Sequence, residues 1–241
     1  MPRSESTAAA TALLDIEDLR VSYGTAAVLN GVSLQVNAGE MVGLAGRNGA
    51  GKTTTLRAVS GLVASRGGRI RTAGRQLPRS PEGVLRAGLA HVPEGRRMFA
   101  SLSVEDNLRA AAFGAGHEFD TDQRDRVLDL FPPLARLMQR KAGFLSGGEQ
   151  QMLAISRGLV ARPRVLMIDE VSLGLAPRLV GDMWHALSSL PSAGLALLVV
   201  DQNVRILAAH CDRIYLLDDG AVTEASQGAA REEELRALYF D

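Results

Sequence analysis

A single cysteine, Cys211, stands among 241 residues, so no internal disulfide can form and the chain suits a reducing compartment. Aromatic residues amount to 4%, which leaves few ring faces for stacking nucleobases. An excess of either charge is missing too: Lys and Arg total 27, Asp and Glu 27. No overall field therefore draws the chain to a polyanion, and nucleic acid is not expected as a partner. Nowhere do about 18 apolar residues run without interruption, so no membrane span is expected. The start, MPRSESTAAAT, lacks an apolar stretch of signal-peptide length. The expectation is a soluble, cytosolic chain that reaches a membrane only by docking on other subunits. His91, His117, His185 and His210 lie far apart in the sequence, without the spacing that gathers metal ligands.

What the chain does have is apolar residue in quantity, 46%, enough for one large core. Residues 1–12 read as a disordered tail, and 13–241 as one α/β domain. Leu14–Glu17 and Gly31–Val36 alternate with period 2, as half-exposed strands of an antiparallel edge layer do. Met41–Ala45, Val165–Ile168 and Leu195–Val200 are continuous apolar runs, as expected of parallel strands covered on both faces. Helices are expected after each, over Lys52–Ser60, Leu179–Leu190 and Val204–His210, giving βα units. Between about 96 and 155 the texture changes to helical spacing, with helices expected over Val104–Phe113 and Asp122–Leu137. The core then comprises 13–95 and 156–241. Pro132-Pro133 should break the second of those helices before Leu134. Ile214–Leu217, a turn at Asp218-Asp219-Gly220 and Ala221–Thr223 read as a hairpin, and Glu232–Tyr239 as a terminal helix. Trp184, alone in its helix, reads as core.

Two motifs carry chemistry. Gly46-Arg47-Asn48-Gly49-Ala50-Gly51-Lys52-Thr53 follows an apolar strand and precedes a helix, the context of a phosphate-binding loop. Its glycines let successive amides and a helix N-terminus converge on an anion. Lys52 places a point charge on the β and γ phosphates, and the Thr53 hydroxyl can ligate Mg²⁺; Thr54 follows on the same turn. The second motif is an apolar strand ending in Asp169-Glu170. Asp169 can hold Mg²⁺ through water, and Glu170 can polarise the attacking water.

Leu145-Ser146-Gly147-Gly148-Glu149-Gln150-Gln151, before a helix and ahead of the acid strand, resembles the signature of ATP-binding-cassette ATPases. With Ser146 and the Gly147 and Gly148 amides at a helix N-terminus, it forms an anion site. The resemblance runs from Tyr23 to the C-terminus. It implies a P-loop fold with a mostly parallel core, an antiparallel edge layer and a helical subdomain, with ATP and Mg²⁺ as cofactors. It also implies that the segment from Ser146 to Glu149 faces the γ-phosphate held by an opposite subunit. Tyr23 is similar to the aromatic that stacks on adenine; a tyrosine packing on its edge-strand neighbour is the alternative.

A narrower likeness is carried by Val92-Pro93-Glu94-Gly95-Arg96-Arg97, Ser172-Leu173-Gly174-Leu175-Ala176-Pro177 and Asp201-Gln202-Asn203. These resemble the second ATPase subunit of branched-chain (hydrophobic) amino-acid importers. By that resemblance Glu94 stands where glutamine usually meets Mg²⁺ and the attacking water, and Ala176 where an aspartate usually closes the loop between subunits. Gln202 replaces the histidine that contacts the γ-phosphate. Val171 departs from the subfamily, where proline follows the catalytic acid, and a looser loop is expected there. The implied partners are a related ATPase subunit (a heterodimer, with a homodimer possible for the chain alone), two membrane permease subunits, and indirectly an extracytoplasmic solute-binding protein. The implied location is peripheral, on the cytoplasmic side of the membrane. Arg96, Arg97, Met98 and Phe99 are candidates for permease docking. A DNA-repair or translation ATPase with the same motifs is the alternative, but neither coiled coils nor a second cassette is present.

Overall fold

Strands that are apolar at every position can be satisfied only between two covering layers, and the chain builds its centre from them. In the computed structural model, which describes residues 12–225, β1 (Leu14–Tyr23) and β2 (Ala26–Val36) form an antiparallel pair. Then follow β3 (Met41–Gly46) and α1 (Lys52–Val59). After these come β4 (Gly67–Thr72), β5 (Arg75–Gln76), α2 (Pro81–Arg86) and β6 (Leu89–Val92). Helices α3 (Val104–Gly114), α4 (Thr121–Leu130) and α5 (Gly147–Val160) precede β7 (Val165–Asp169). The chain continues through α6 (Pro177–Ser189), β8 (Ala196–Val200), α7 (Val204–His210), β9 (Arg213–Asp218) and β10 (Ala221–Ala225). The expected tail, apart from residue 12, and the expected helix at Glu232–Tyr239 lie outside the described residues.

One sheet has the order β2-β1-β4-β5 and is antiparallel; the other has the order β10-β9-β3-β8-β7-β6. Within the second, β9, β3, β8, β7 and β6 run parallel, and β10 closes the edge antiparallel. The parallel strands divide their side chains by parity, as a pleated strand must. Val165 and Met167 of β7 face the core shared with the antiparallel sheet, whereas Leu166 and Ile168 face the core under the helices. Val42 and Leu44 of β3 likewise oppose Met41 and Ala45.

The helices expected over the middle of the chain form, and the break expected at Pro132-Pro133 falls before Leu134: α4 ends at Leu130, and a 3₁₀ segment runs over Pro132–Leu137. Proline there lacks the amide that would continue the ladder. The hairpin turn at Asp219 (φ 44°) and Gly220 (φ 72°) has the left-handed backbone of a tight β-hairpin. Trp184 is core: it is fully buried, stacks on His210 at 5.3 Å, and its Nε1 donates to Ser172 Oγ at 3.3 Å.

No strand or helix is expected from the sequence over the stretch that forms β4, β5, α2 and β6. β4 is short and polar, and it is held in place by cross-strand ion pairs. Arg69 bonds Glu17 at 2.9 Å, and Arg71 bonds Glu17 at 2.6 Å and Asp15 at 3.2 Å. Such pairing is a property of the partner strand, not of β4 alone.

Candidate functional site

Four parallel strands end side by side, in the order β3, β8, β7, β6, and each hands its next residues to one crevice. This is the carboxyl edge where open α/β sheets bind ligands. β3 delivers the phosphate loop, β8 delivers Asp201 and Gln202, β7 delivers Asp169 and Glu170, and β6 delivers Glu94.

The phosphate loop turns into α1 at Gly51, whose φ of 109° suits only glycine; a Cβ there would also meet Leu29 Cδ2 of β2 at 2.6 Å. Asn48, Gly49 (φ 84°) and Ala50 form the bend, with the Ala50 amide bonded to Arg47 O at 3.1 Å. Lys52, 6% exposed, donates from Nζ to Gly46 O at 2.6 Å and to Arg47 O at 3.0 Å. An ammonium has three donors, so one remains for an anion in the loop. Burial lowers the Lys52 pKa, while Glu170, Asp169 and Asp201 nearby pull it the other way. Thr53 and Thr54 occupy the first turn of α1.

Asp169 is the electrostatic centre. Its residue is 1% exposed, and neither carboxylate oxygen has a hydrogen-bond partner of regular geometry. Burial raises its pKa first of all; the Thr53 hydroxyl beside it opposes that, and the charges of Glu170 and Glu94 add to it. An orphaned, buried carboxylate beside a threonine hydroxyl fits the oxygen ligation that Mg²⁺ requires. The chemistry of the donor set thus suits the ion that the sequence implies.

Glu170 follows with φ 56°, a left-handed conformation that costs a non-glycine residue about 1–2 kcal/mol. Its amide donates to Val200 O at 2.9 Å, and its Oε1 accepts from Gln202 Nε2 at 2.5 Å. The loop beyond it is not loose, contrary to the expectation from Val171. Val171 is fully buried in the helical core, and the Ser172 amide donates to Asp201 Oδ2 at 3.1 Å. Apolar burial and this bond anchor the turn without a proline. Asp201, part of the Asp201-Gln202-Asn203 segment, has no role predicted from the sequence. It is 3% exposed, and its Oδ1 also accepts from the Asn203 amide at 2.9 Å, so it pins the loops after β7 and β8 together. The signal was available: like Asp169, it is a carboxylate ending an apolar strand.

Ser146 caps α5. Its hydroxyl accepts from the Glu149 amide at 3.4 Å, and the Glu149 carboxylate accepts from the Ser146 amide at 2.8 Å, a reciprocal capping box. That bond lowers the Glu149 pKa and commits its carboxylate to the cap. The Ser146 hydroxyl hydrogen stays available. Gly148 admits α6, since a Cβ there would meet Leu179 Cδ1 at 2.7 Å. Among the described residues no hydrogen bond joins Ser146, Gly147 or Gly148 to the phosphate loop of the same chain; the Gly147 surface meets Arg96.

Tyr23 lies at the end of β1 opposite Ala26 and is 48% exposed; its small neighbour leaves the ring uncovered. Glu94 is exposed at the end of β6. Of the docking candidates, Phe99 is 51% exposed with the Arg157 guanidinium 5.1 Å from its ring centre. Arg96 instead turns inward, onto Gln150, Gln151 and Leu173. Among the described residues no cluster of three His, Cys, Asp or Glu side chains forms a metal cage.

Residues 29–172 match the family model described as ABC transporter. The chain is 39% identical over 219 residues to the high-affinity branched-chain amino acid transport ATP-binding protein BraG of Pseudomonas aeruginosa, covering 90% of this chain and 94% of that one. It is 35% identical over 216 residues to a probable branched-chain amino acid transport ATP-binding protein, LivF, of Archaeoglobus fulgidus, covering 89% and 91%. Among solved structures, a nucleotide-free ATP-binding cassette from an ABC transporter superposes with a TM-score of 0.82 over 95% of this chain and 96% of that one, at 23% identity. That last likeness bears on the fold.

Proposed function

The chain belongs to the ABC transporter family, and from that premise we propose that it is the ATP-hydrolysing motor subunit of an importer for branched-chain or related amino acids. The observation that supports this most is the convergence of the phosphate loop, the orphaned Asp169 and the Glu170–Gln202 pair at one sheet edge. The solute class rests on the 39% identity to a branched-chain amino-acid transport ATPase.

Each residue has a task that its surroundings suit. The loop amides, the N-terminus of α1 and Lys52 hold the triphosphate. Asp169, the Thr53 hydroxyl and Glu94 would hold Mg²⁺, which when bound would offset the phosphate charge. Glu170 takes the proton of the attacking water. The Gln202 amide has two N–H donors: one fixes Glu170, and the other is free for the γ-phosphate. Tyr23 offers its uncovered ring to adenine. Ser146, Gly147 and Gly148 serve the nucleotide of a partner ATPase, so that two cassettes close on two ATP molecules. That partner is a related subunit, with a homodimer when the chain is made alone. Closure pulls on two permease subunits docked at Arg97, Met98 and Phe99, and these in turn receive solute from an extracytoplasmic binding protein. Among the described residues no helix is long and apolar enough to cross a membrane, in keeping with a subunit that docks on the cytoplasmic face.

Reconstitution tests the proposal. With the sister ATPase and the permease in liposomes, hydrolysis should rise when a binding protein loaded with leucine is added. Hydrolysis unaffected by any permease, or co-purification with ribosomes or DNA, would sink it in favour of a non-transport ATPase.

Asp169→Asn separates stability from activity. Removing an unpaired buried charge relieves desolvation, so the ligand-free variant should melt about 2–4 °C higher, corresponding to about 1 kcal/mol. Hydrolysis should nevertheless be lost. Because the wild-type carboxyl has a raised pKa, its folded state binds a proton more readily than the unfolded one. The wild type should thus recover stability relative to the variant as pH falls. Thermal melts from pH 7.5 down to 4.5 check this.

Gln202→His should introduce a pH limb between about 6 and 7 into kcat, because imidazole titrates there and an amide does not. An unchanged ATPase pH profile would remove Gln202 from the γ-phosphate.

A further inference from the structure

Directly after Glu94 the chain turns left-handed for three residues, Gly95 (φ 78°), Arg96 (φ 61°) and Arg97 (φ 29°). Two of these are not glycine, and such strain persists only where the surroundings hold it. The turn aims Arg96 at the start of α5. Its Nε donates to Gln151 Oε1 at 3.2 Å, and its Nη1 lies 3.5 Å from Gln150 Oε1. Its Nη2 donates to Leu173 O at 3.2 Å. Gly147 makes the room, since a Cβ there would stand 3.2 Å from Nη1. One planar guanidinium thus joins the first turns of the signature helix to the loop three residues past Glu170, and it does so from the segment that carries Glu94. Its acceptors are all neutral, and it makes no ion pair among the described residues.

We infer that Arg96 is a positioning residue that makes the Glu94 segment, the signature helix and the loop after Glu170 move as one body when two cassettes close. The inference rests on the proposed function, in which those three elements belong to both nucleotide sites. A lysine could not replace Arg96, because a single ammonium lacks the fork that reaches three acceptors at once.

Arg96→Asn in a Glu170→Gln background is the test. Asparagine tolerates the left-handed turn, so the loop keeps its path while the guanidinium is lost. The binding of a fluorescent ATP analogue to the monomer should change by less than about twofold, and ATP-driven dimerisation should weaken by about tenfold, as the loss of one to two hydrogen bonds implies. In the otherwise native chain with its sister subunit, kcat should fall with KM unchanged, and Arg96→Lys should not restore it. Hydrogen exchange at the amides around Leu173 should quicken in the variant whether or not dimers form. Undiminished dimerisation or unaltered exchange overturns the inference, as does a parallel loss of melting temperature and monomer nucleotide affinity. Failure of Glu170→Gln itself to dimerise with Arg96 intact would instead count against the proposed function, and the exchange measurement would still decide the tie.

Discussion

Glu170→Gln should lower ATP hydrolysis by about 10²–10⁴-fold, the range over which a positioned general base contributes, while leaving nucleotide binding intact. The geometry says why the two separate. Among the described residues Glu170 makes no hydrogen bond to the phosphate loop; its side chain is fixed by Gln202 Nε2, and its backbone is anchored by Val200 O. Glutamine keeps the shape and can still accept from Gln202 through its carbonyl oxygen, but it cannot take a proton from water. With Mg-ATP and the sister subunit, the variant should therefore accumulate as a closed two-cassette assembly. Size-exclusion chromatography with light scattering reads that assembly, and phosphate release reads the rate. Full hydrolysis by the variant would assign the base elsewhere, with Glu94 as the next candidate by position.

The second large effect is on stability in acid, and it comes from His91 on β6. Ser60 has one hydroxyl hydrogen and donates it to Leu56 O at 2.7 Å. The 2.8 Å contact between Ser60 Oγ and His91 Nδ1 must then be a donation from Nδ1–H. That leaves Nε2 as a bare acceptor, buried and without a partner. Protonating it would put a cation out of water near Arg57 and Arg97. Burial, and then those two guanidiniums, push its pKa from 6.5 down to about 4. The folded state therefore refuses a proton that the unfolded state accepts, so stability falls as pH drops from about 6.5 and stops falling near 4. The loss approaches about 3 kcal/mol by linkage. Carboxylates that are paired in the fold, such as Glu40 with Arg213, also lose stability in acid. His91→Gln isolates the histidine share: the variant's urea midpoint should drop less than the wild type's between pH 7 and 4. Parallel curves would mean that His91 charges freely in the folded protein.

Legibility in the sequence followed how local each signal is. β3, β7 and β8 were readable because burial on both faces leaves unbroken apolar runs. β4 was not, because its arginines make sense only against Asp15 and Glu17 on β1. β6 has four residues, one of them His91, too few for a period to register. The capping box at Ser146 and Glu149 is readable in principle from its spacing, whereas the family resemblance points Glu149 at the nucleotide. In the sequence Arg96 reads as a solvated docking candidate because it sits in a run of basic residues in a loop; a left-handed backbone at two successive arginines is invisible in composition.

By itself the sequence determined the nucleotide-binding family of this chain and pointed to the residue types that would hold a nucleoside triphosphate. Phosphate loops and strand-end acids are short-range patterns whose chemistry travels with their spacing. Only the tertiary structure decided that Gly46, Asp169, Gln202 and Glu94 share one crevice, because the strand order β3-β8-β7-β6 is set by packing between segments far apart in the chain. Only packing, too, left Asp169 without a partner, pinned the Val171 loop to Asp201, and turned Arg96 from the surface to the signature helix. Each is a consequence of which neighbours burial supplies, and no residue's own identity records its neighbours.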